Sequence, residues 1–83
     1  MNQYLIMCRS LTRAQSSKTL LERNGFRVSV TKAPQKLTDG GCGYAVSIYR
    51  RADGAVRLLR ERNMLSGKVF RREDDGSYTE VQM

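Results

Sequence analysis

The chain has 83 residues, 40% hydrophobic and 28% charged, with a net charge of +7, two cysteines and no histidine. That length allows one domain with a modest core, burying about 60–65% of the surface the unfolded chain exposes, and leaves no room for a deep cleft between subdomains. Without histidine the commonest metal ligand and the commonest general base are missing.

All 15 basic residues and four of the eight acids fall within residues 1–72, a balance of +11. Such a body attracts anions: nucleic acid, anionic lipid, an acidic partner or a small oxyanion. The plainer reading is a solvated, solubilising surface. No apolar run approaches the ~18 residues that span a bilayer, so no membrane partner is expected. Met1-Asn2-Gln3-Tyr4 does not open a basic stretch followed by a long apolar run. No signal peptide is expected, and the cytosol is the expected compartment, where both thiols stay reduced.

The apolar run Tyr4-Leu5-Ile6-Met7-Cys8 predicts a buried strand. Ser10 or Thr12 offers an N-cap for a helix over residues 11–23, with Leu11, Ala14 and Leu21 on one face and Leu20 alongside. Gly25 suits a left-handed helix end. Residues 26–31 alternate apolar and polar, a strand with one wet face. A ten-residue connection holding Pro34 leads to a third strand over 44–49. Asp53 is the N-cap candidate of a second helix to about Asn63, with Val56, Leu59 and Asn63 inward and Asp53 paired to Arg57. Ser66-Gly67 turns the chain into a fourth short strand over 68–71, an exposed edge able to pair with a second copy in a homodimer. Residues 1–72 are expected to form the domain and 73–83 a polar tail, either frayed or adding a short strand at 78–81. The order β-α-β-β-α-β predicts the α+β class. The expected architecture is a ferredoxin-like two-layer sandwich, an antiparallel sheet with two helices on one face.

In that topology strand one runs antiparallel beside strand three. The end of strand one, the start of helix one and the start of strand three then share one edge of the sheet. Cys42, in Gly40-Gly41-Cys42-Gly43, falls at that edge. A helix N-terminus carries unpaired N–H groups and about half a positive charge. Arg9, Arg13, Lys32 and Lys36 are the cations the fold brings near. Such surroundings lower a thiol pKa from its usual ~8.5 and favour the nucleophilic thiolate. Gly40, Gly41 and Gly43 open access to the sulfur and bare backbone N–H groups for an anion. Cys42 in a plain structural loop is the competing reading. Cys8, closing an apolar run, reads as core.

The stretch from Ala33-Pro34-Gln35-Lys36-Leu37-Thr38-Asp39 through Gly40-Gly41-Cys42-Gly43 to Tyr44-Ala45-Val46 resembles the hallmark of the selenium/sulfur carrier protein-like family, small bacterial domains. Tyr4-Leu5-Ile6, Ser10, Ala14 and Leu20-Leu21 through Gly25-Phe26 fit the same pattern, so the likeness covers nearly the whole domain. It departs at Cys8-Arg9 and at Thr38-Asp39. The resemblance implies that Cys42 is a carrier thiol, holding sulfur or selenium as a persulfide or selenosulfide between a donor and an acceptor protein. No metal and no cofactor are expected.

An RNA-binding module is the alternative from another class. Gly43-Tyr44-Ala45-Val46-Ser47-Ile48-Tyr49 partly fits the third-strand motif of the RNA recognition motif, with Tyr44 as the stacking residue. Tyr44 and Tyr49 differ by an odd number, so regular alternation puts them on opposite faces. A non-catalytic protein-interaction domain is a third reading. The chain reads as a carrier rather than a conventional enzyme: it has no triad, phosphate loop or metal-ligand spacing.

Overall fold

The computed structural model describes residues 3–37, 43–65 and 67–81, with the backbone alone at Lys36. Strand β1, Tyr4–Cys8, is the apolar run read from the sequence. It lies mid-sheet, with Leu5 buried on one face and Ile6 and Cys8 on the other.

Helix α1, Leu11–Arg23, starts where expected. Ser10 is extended, and its Oγ accepts the Arg13 N–H at 3.2 Å. At the far end Gly25, at φ 87, allows the Gly25 N–H to reach the Glu22 carbonyl and the Phe26 N–H the Leu21 carbonyl. These two bonds close the helix as a Schellman motif. They also commit Phe26 to the helix end, so β2 is Val28–Lys32 and begins two residues later than the alternation suggests. The inner face of α1 is Ala14, Ser17 and Leu21. Leu11, expected inward, is 40% exposed, because the small Ala14 and Ser17 are the residues set closely against the sheet.

A single 3₁₀ turn, Gln35–Leu37, follows Pro34, whose carbonyl accepts the Leu37 N–H at 2.9 Å. Strand β3 is Tyr44–Ile48 and helix α2 is Ala52–Glu61. The N-cap of α2 is Arg51, in the left-handed conformation, and not Asp53, which lies in the first turn where its charge suits the helix dipole. Asn63 is exposed at φ 56 rather than inward. It is the left-handed residue of a second Schellman closure, with Asn63 N–H on the Arg60 carbonyl and Met64 N–H on the Leu59 carbonyl. The inner face of α2 is Ala52, Ala55, Val56 and Leu59. No ion pair joins Asp53 to Arg57 among the described residues.

Gly67 allows a close crossing: a side chain there would begin 2.5 Å from the Met7 carbonyl oxygen. Strand β4 is Val69–Arg72, and a turn over residues 73–77 joins it to β5, Tyr78–Val81. In that turn Asp75 Oδ1 accepts from both the backbone and the hydroxyl of Ser77. Residues 78–81 thus take the strand form, and β4 is not an edge: β5 pairs along it. The dimer contact expected at the 68–71 strand is therefore already occupied from within the chain.

The sheet order is β2-β3-β1-β4-β5, antiparallel throughout. The first four strands and two helices are the expected β-α-β-β-α-β sandwich, with β5 added. Both helices cover one face, where Ile6, Cys8, Val46, Ile48 and Val69 meet Ala14, Leu21, Val56 and Leu59. The other face carries a smaller cluster of Leu5, Ala33 and Ala45, flanked by Met7, Leu37 and Tyr78. Its buried Ser47 hydroxyl is bonded to Gln3 Nε2 at 2.7 Å.

Leu59→Ala should lower the unfolding free energy in urea by about 2–5 kcal/mol, the cost of a buried leucine cavity. Leu11→Ala should change it by less than about 0.5 kcal/mol. Equal losses would contradict the exposed position of Leu11.

Candidate functional site

Three segments converge at one edge of the sheet. Cys8, last in β1, is the register partner of Tyr44, first in β3, and Lys32, last in β2, is the other partner of Tyr44. The ladder runs one step further, with the Ala33 N–H on the Gly43 carbonyl at 3.0 Å. The bend at Arg9 and Ser10 leads from this edge directly into α1.

Of the site residues read from the sequence, Gly43 is buried at this edge, directly after Cys42 in the chain. Arg9 is exposed in the bend, and Arg13 is exposed in the first turn of α1. Lys36 lies in the 3₁₀ turn after β2, its side chain outside the described set. Gly40, Gly41 and Cys42 lie outside the described residues.

The electrostatics of the edge follow from α1. Ser10 caps only the Arg13 N–H, so the N–H groups of the first two helical residues have no intrahelical acceptor. The first turn holds no acid, and the positive end of the helix dipole is not offset within it. Arg9, Arg13 and Lys32 add three exposed cations.

Cys8 lies on the core side of this edge, 6% exposed. Its thiol donates to the Ile6 carbonyl at 3.7 Å. Burial pushes its pKa up, outweighing the hydrogen bond with Ser17 and the charge of Arg13, which act in the opposite direction. Cys8 is a protonated core thiol, as its place in the apolar run suggests.

Tyr44 is not a base-stacking residue on an open sheet. It shares the face of Cys8, Val46 and Ile48 and packs against the helix-side core. On the opposite face β3 presents Ala45 and Ser47, with no aromatic ring. Tyr49 lies past the end of β3 and is 53% exposed. Sequence reasoning paired it with Tyr44 and overlooked its neighbours Arg50 and Arg51. The signal was there: Phe26-Arg27 and Tyr49-Arg50-Arg51 stand at the same end of adjacent strands, each an aromatic followed by arginine.

Among the described residues no group of His, Cys, Asp or Glu could hold a metal ion, and no helix is long and apolar enough to cross a membrane. The family model described as "Putative Se/S carrier protein-like" matches residues 3–71, and the chain belongs to that family. No curated protein and no solved structure matches.

The raised Cys8 pKa fixes the sign of a pH effect. As pH climbs past the ordinary thiol value of about 8.5, the unfolded chain loses the proton first, so stability falls until the folded-state thiol also ionises. Urea unfolding of Cys42→Ser should show this loss, with a slope of at most about 1.4 kcal/mol per pH unit, and Cys8→Ala in that background should remove it. A thiol probe at pH 8 should label Cys8 in folded Cys42→Ser at least about tenfold slower than in the unfolded chain.

Proposed function

We propose that the chain, as a member of the Se/S carrier protein-like family, carries sulfur or selenium on the Cys42 thiolate. The observation behind this reading is the family match over residues 3–71, a span that includes Gly40-Gly41-Cys42-Gly43. Cys8, the other cysteine, is buried and held protonated, which leaves Cys42 as the candidate nucleophile.

The transfer is thiol exchange. The Cys42 thiolate attacks the outer sulfur of a donor persulfide. A sulfur–sulfur bond forms to Cys42 as the donor's sulfur–sulfur bond breaks, and the electron pair leaves with the donor thiolate, which takes a proton from water. Delivery is the same step in reverse roles: an acceptor nucleophile takes the outer sulfur and Cys42 leaves as thiolate. Selenium replaces the outer sulfur in a selenosulfide. No general base is needed once the thiol is ionised, and no cofactor enters.

The cations Arg9, Arg13 and Lys36 stabilise the anionic sulfur in this reading, and Gly40, Gly41 and Gly43 give a partner's sulfur close access. Donor and acceptor proteins are the partners. A reducing compartment such as the cytosol keeps the thiol available.

Intact mass after incubation with a cysteine desulfurase and cysteine tests the reading. The wild type should gain the mass of one sulfur, removed by a reductant, and Cys42→Ser should gain none. An adduct that persists in Cys42→Ser overturns the role. Thiol-probe labelling should show a phase absent from Cys42→Ser, half-maximal below the ordinary thiol pKa of about 8.5. Arg9→Gln with Arg13→Gln should move that phase to higher pH.

A further inference from the structure

A second site lies at the opposite end of the strands from Cys8 and Gly43. Val28, first in β2, pairs with Ile48, last in β3, so the residues before β2 and after β3 meet there. A cavity of about 580 Å³ opens between them, lined by Phe26, Arg27, Tyr49, Arg50 and Arg51. It is open to solvent, so a ligand there would be held against one surface.

The lining divides into two chemistries. Arg27, Arg50 and Arg51 are exposed, and none has an acidic partner among the described residues. Asp53 is the single acid over residues 49–57, and Arg57 follows one turn on. The Arg51 guanidinium stands over the Phe26 ring, 4.4 Å from its centre. A cation held on a ring face has no carboxylate competing for its N–H donors, which can still meet an oxyanion. The second chemistry is aromatic. Phe26 has Arg51 on one side and the Gly54 backbone close by, while Tyr49 is 53% exposed. Tyr49 is thus the free ring of the cavity.

Three unpaired arginines beside one free aromatic ring suit a ligand that is anionic at one part and flat at another. An acidic peptide would use the arginines and leave the ring unused. A nucleotide uses both: its phosphate meets the guanidinium edges and its base stacks on the ring, the combination by which proteins hold single strands. We propose that this cavity binds a nucleotide unit, with Tyr49 stacking the base and Arg27, Arg50 and Arg51 holding the phosphate. The unit belongs either to a single-stranded nucleic acid or to a free nucleotide. The site does not involve Cys42 and stands or falls apart from the carrier reading.

Fluorescence anisotropy with a fluorescein-labelled 12-mer oligouridylate tests this, with UMP as competitor and fluorescein-labelled decaglutamate as a second probe. The oligouridylate should bind, and Tyr49→Ala should weaken it at least about fivefold while Tyr49→Phe retains it. Arg27→Gln and Arg50→Gln should each reduce the slope of log affinity against log salt by about 0.7. Arg60→Gln/Arg62→Gln, at the far end of α2, should keep tighter binding than Arg27→Gln/Arg50→Gln. Cys42→Ser should bind as the wild type does. Titration of ¹⁵N-labelled protein with UMP should move the amide signals of residues 25–27 and 49–54. Displacement of the 12-mer by UMP at matching concentration assigns the site to free nucleotide; a much tighter 12-mer assigns it to a strand. No binding overturns the proposal. So does an unchanged Tyr49→Ala of native circular dichroism, or decaglutamate binding as tightly as oligouridylate.

Discussion

Everything in this fold depends on β1 being wanted on both faces. In the order β2-β3-β1-β4-β5 it is the central strand, bonded to β3 on one side and β4 on the other. Ile6 and Cys8 anchor the helix-side core, and Leu5 anchors the smaller cluster beneath. A central strand buried on both faces reads as a continuous apolar run, which is what residues 4–8 are. Once β1 is fixed there, antiparallel pairing decides which loops meet. The α1 start joins the β3 start at one end, and the α1 end joins the α2 start at the other.

The elements that rest on local chemistry were legible. Helix α1 had a serine cap, small and apolar inner residues and a glycine stop, and the structure uses all three at Ser10, Ala14 and Gly25. Where the signals competed, tertiary context decided. Asp53 is an ordinary N-cap residue, yet the cap of α2 lies two residues earlier, with Arg51 left-handed and its guanidinium on Phe26, a contact made with a distant segment. Asn63 sits at helical spacing from Val56 and Leu59, but asparagine tolerates a left-handed backbone and serves as the closing residue instead. The polar 73–81 segment had little apolar pattern to read. Its strand is held by backbone bonds to β4, by the Asp75–Ser77 turn and by Tyr78 and Val81 against the two clusters, and two residues three apart leave no strand period to read.

The meeting of the β1 end, the β3 start and the α1 start at one edge was legible because it follows from topology, and topology followed from element order. The arginine cavity follows from the same topology, but its two aromatic–arginine pairs carry no motif of their own and gain meaning only once adjacent strands set them at one end. Five-residue strands separate the two ends by roughly 13 Å, at about 3.3 Å per residue. A charge change at one end is then screened from the other by more than a Debye length at physiological salt. The molecule has two basic ends, and they can be altered independently.

The contrast between the two cysteines bears on whether a carrier is chemically workable. A persulfide on Cys42 is open to attack at its inner sulfur by any nearby thiolate. That attack closes a disulfide and expels the cargo as hydrosulfide. Cys8 is the other thiol of the chain, and it closes β1 opposite Tyr44. The fold turns its Sγ into the helix-side core, bonds it to the Ile6 carbonyl and raises its pKa by burial. A thiol that stays protonated and enclosed is a poor nucleophile. Arg13 illustrates the balance: one cation can favour an exposed thiolate at the edge, and its pull on Cys8 is smaller than the cost of charging a sulfur within the core. For Cys8, burial depth rather than the surrounding charge decides the state of the thiol.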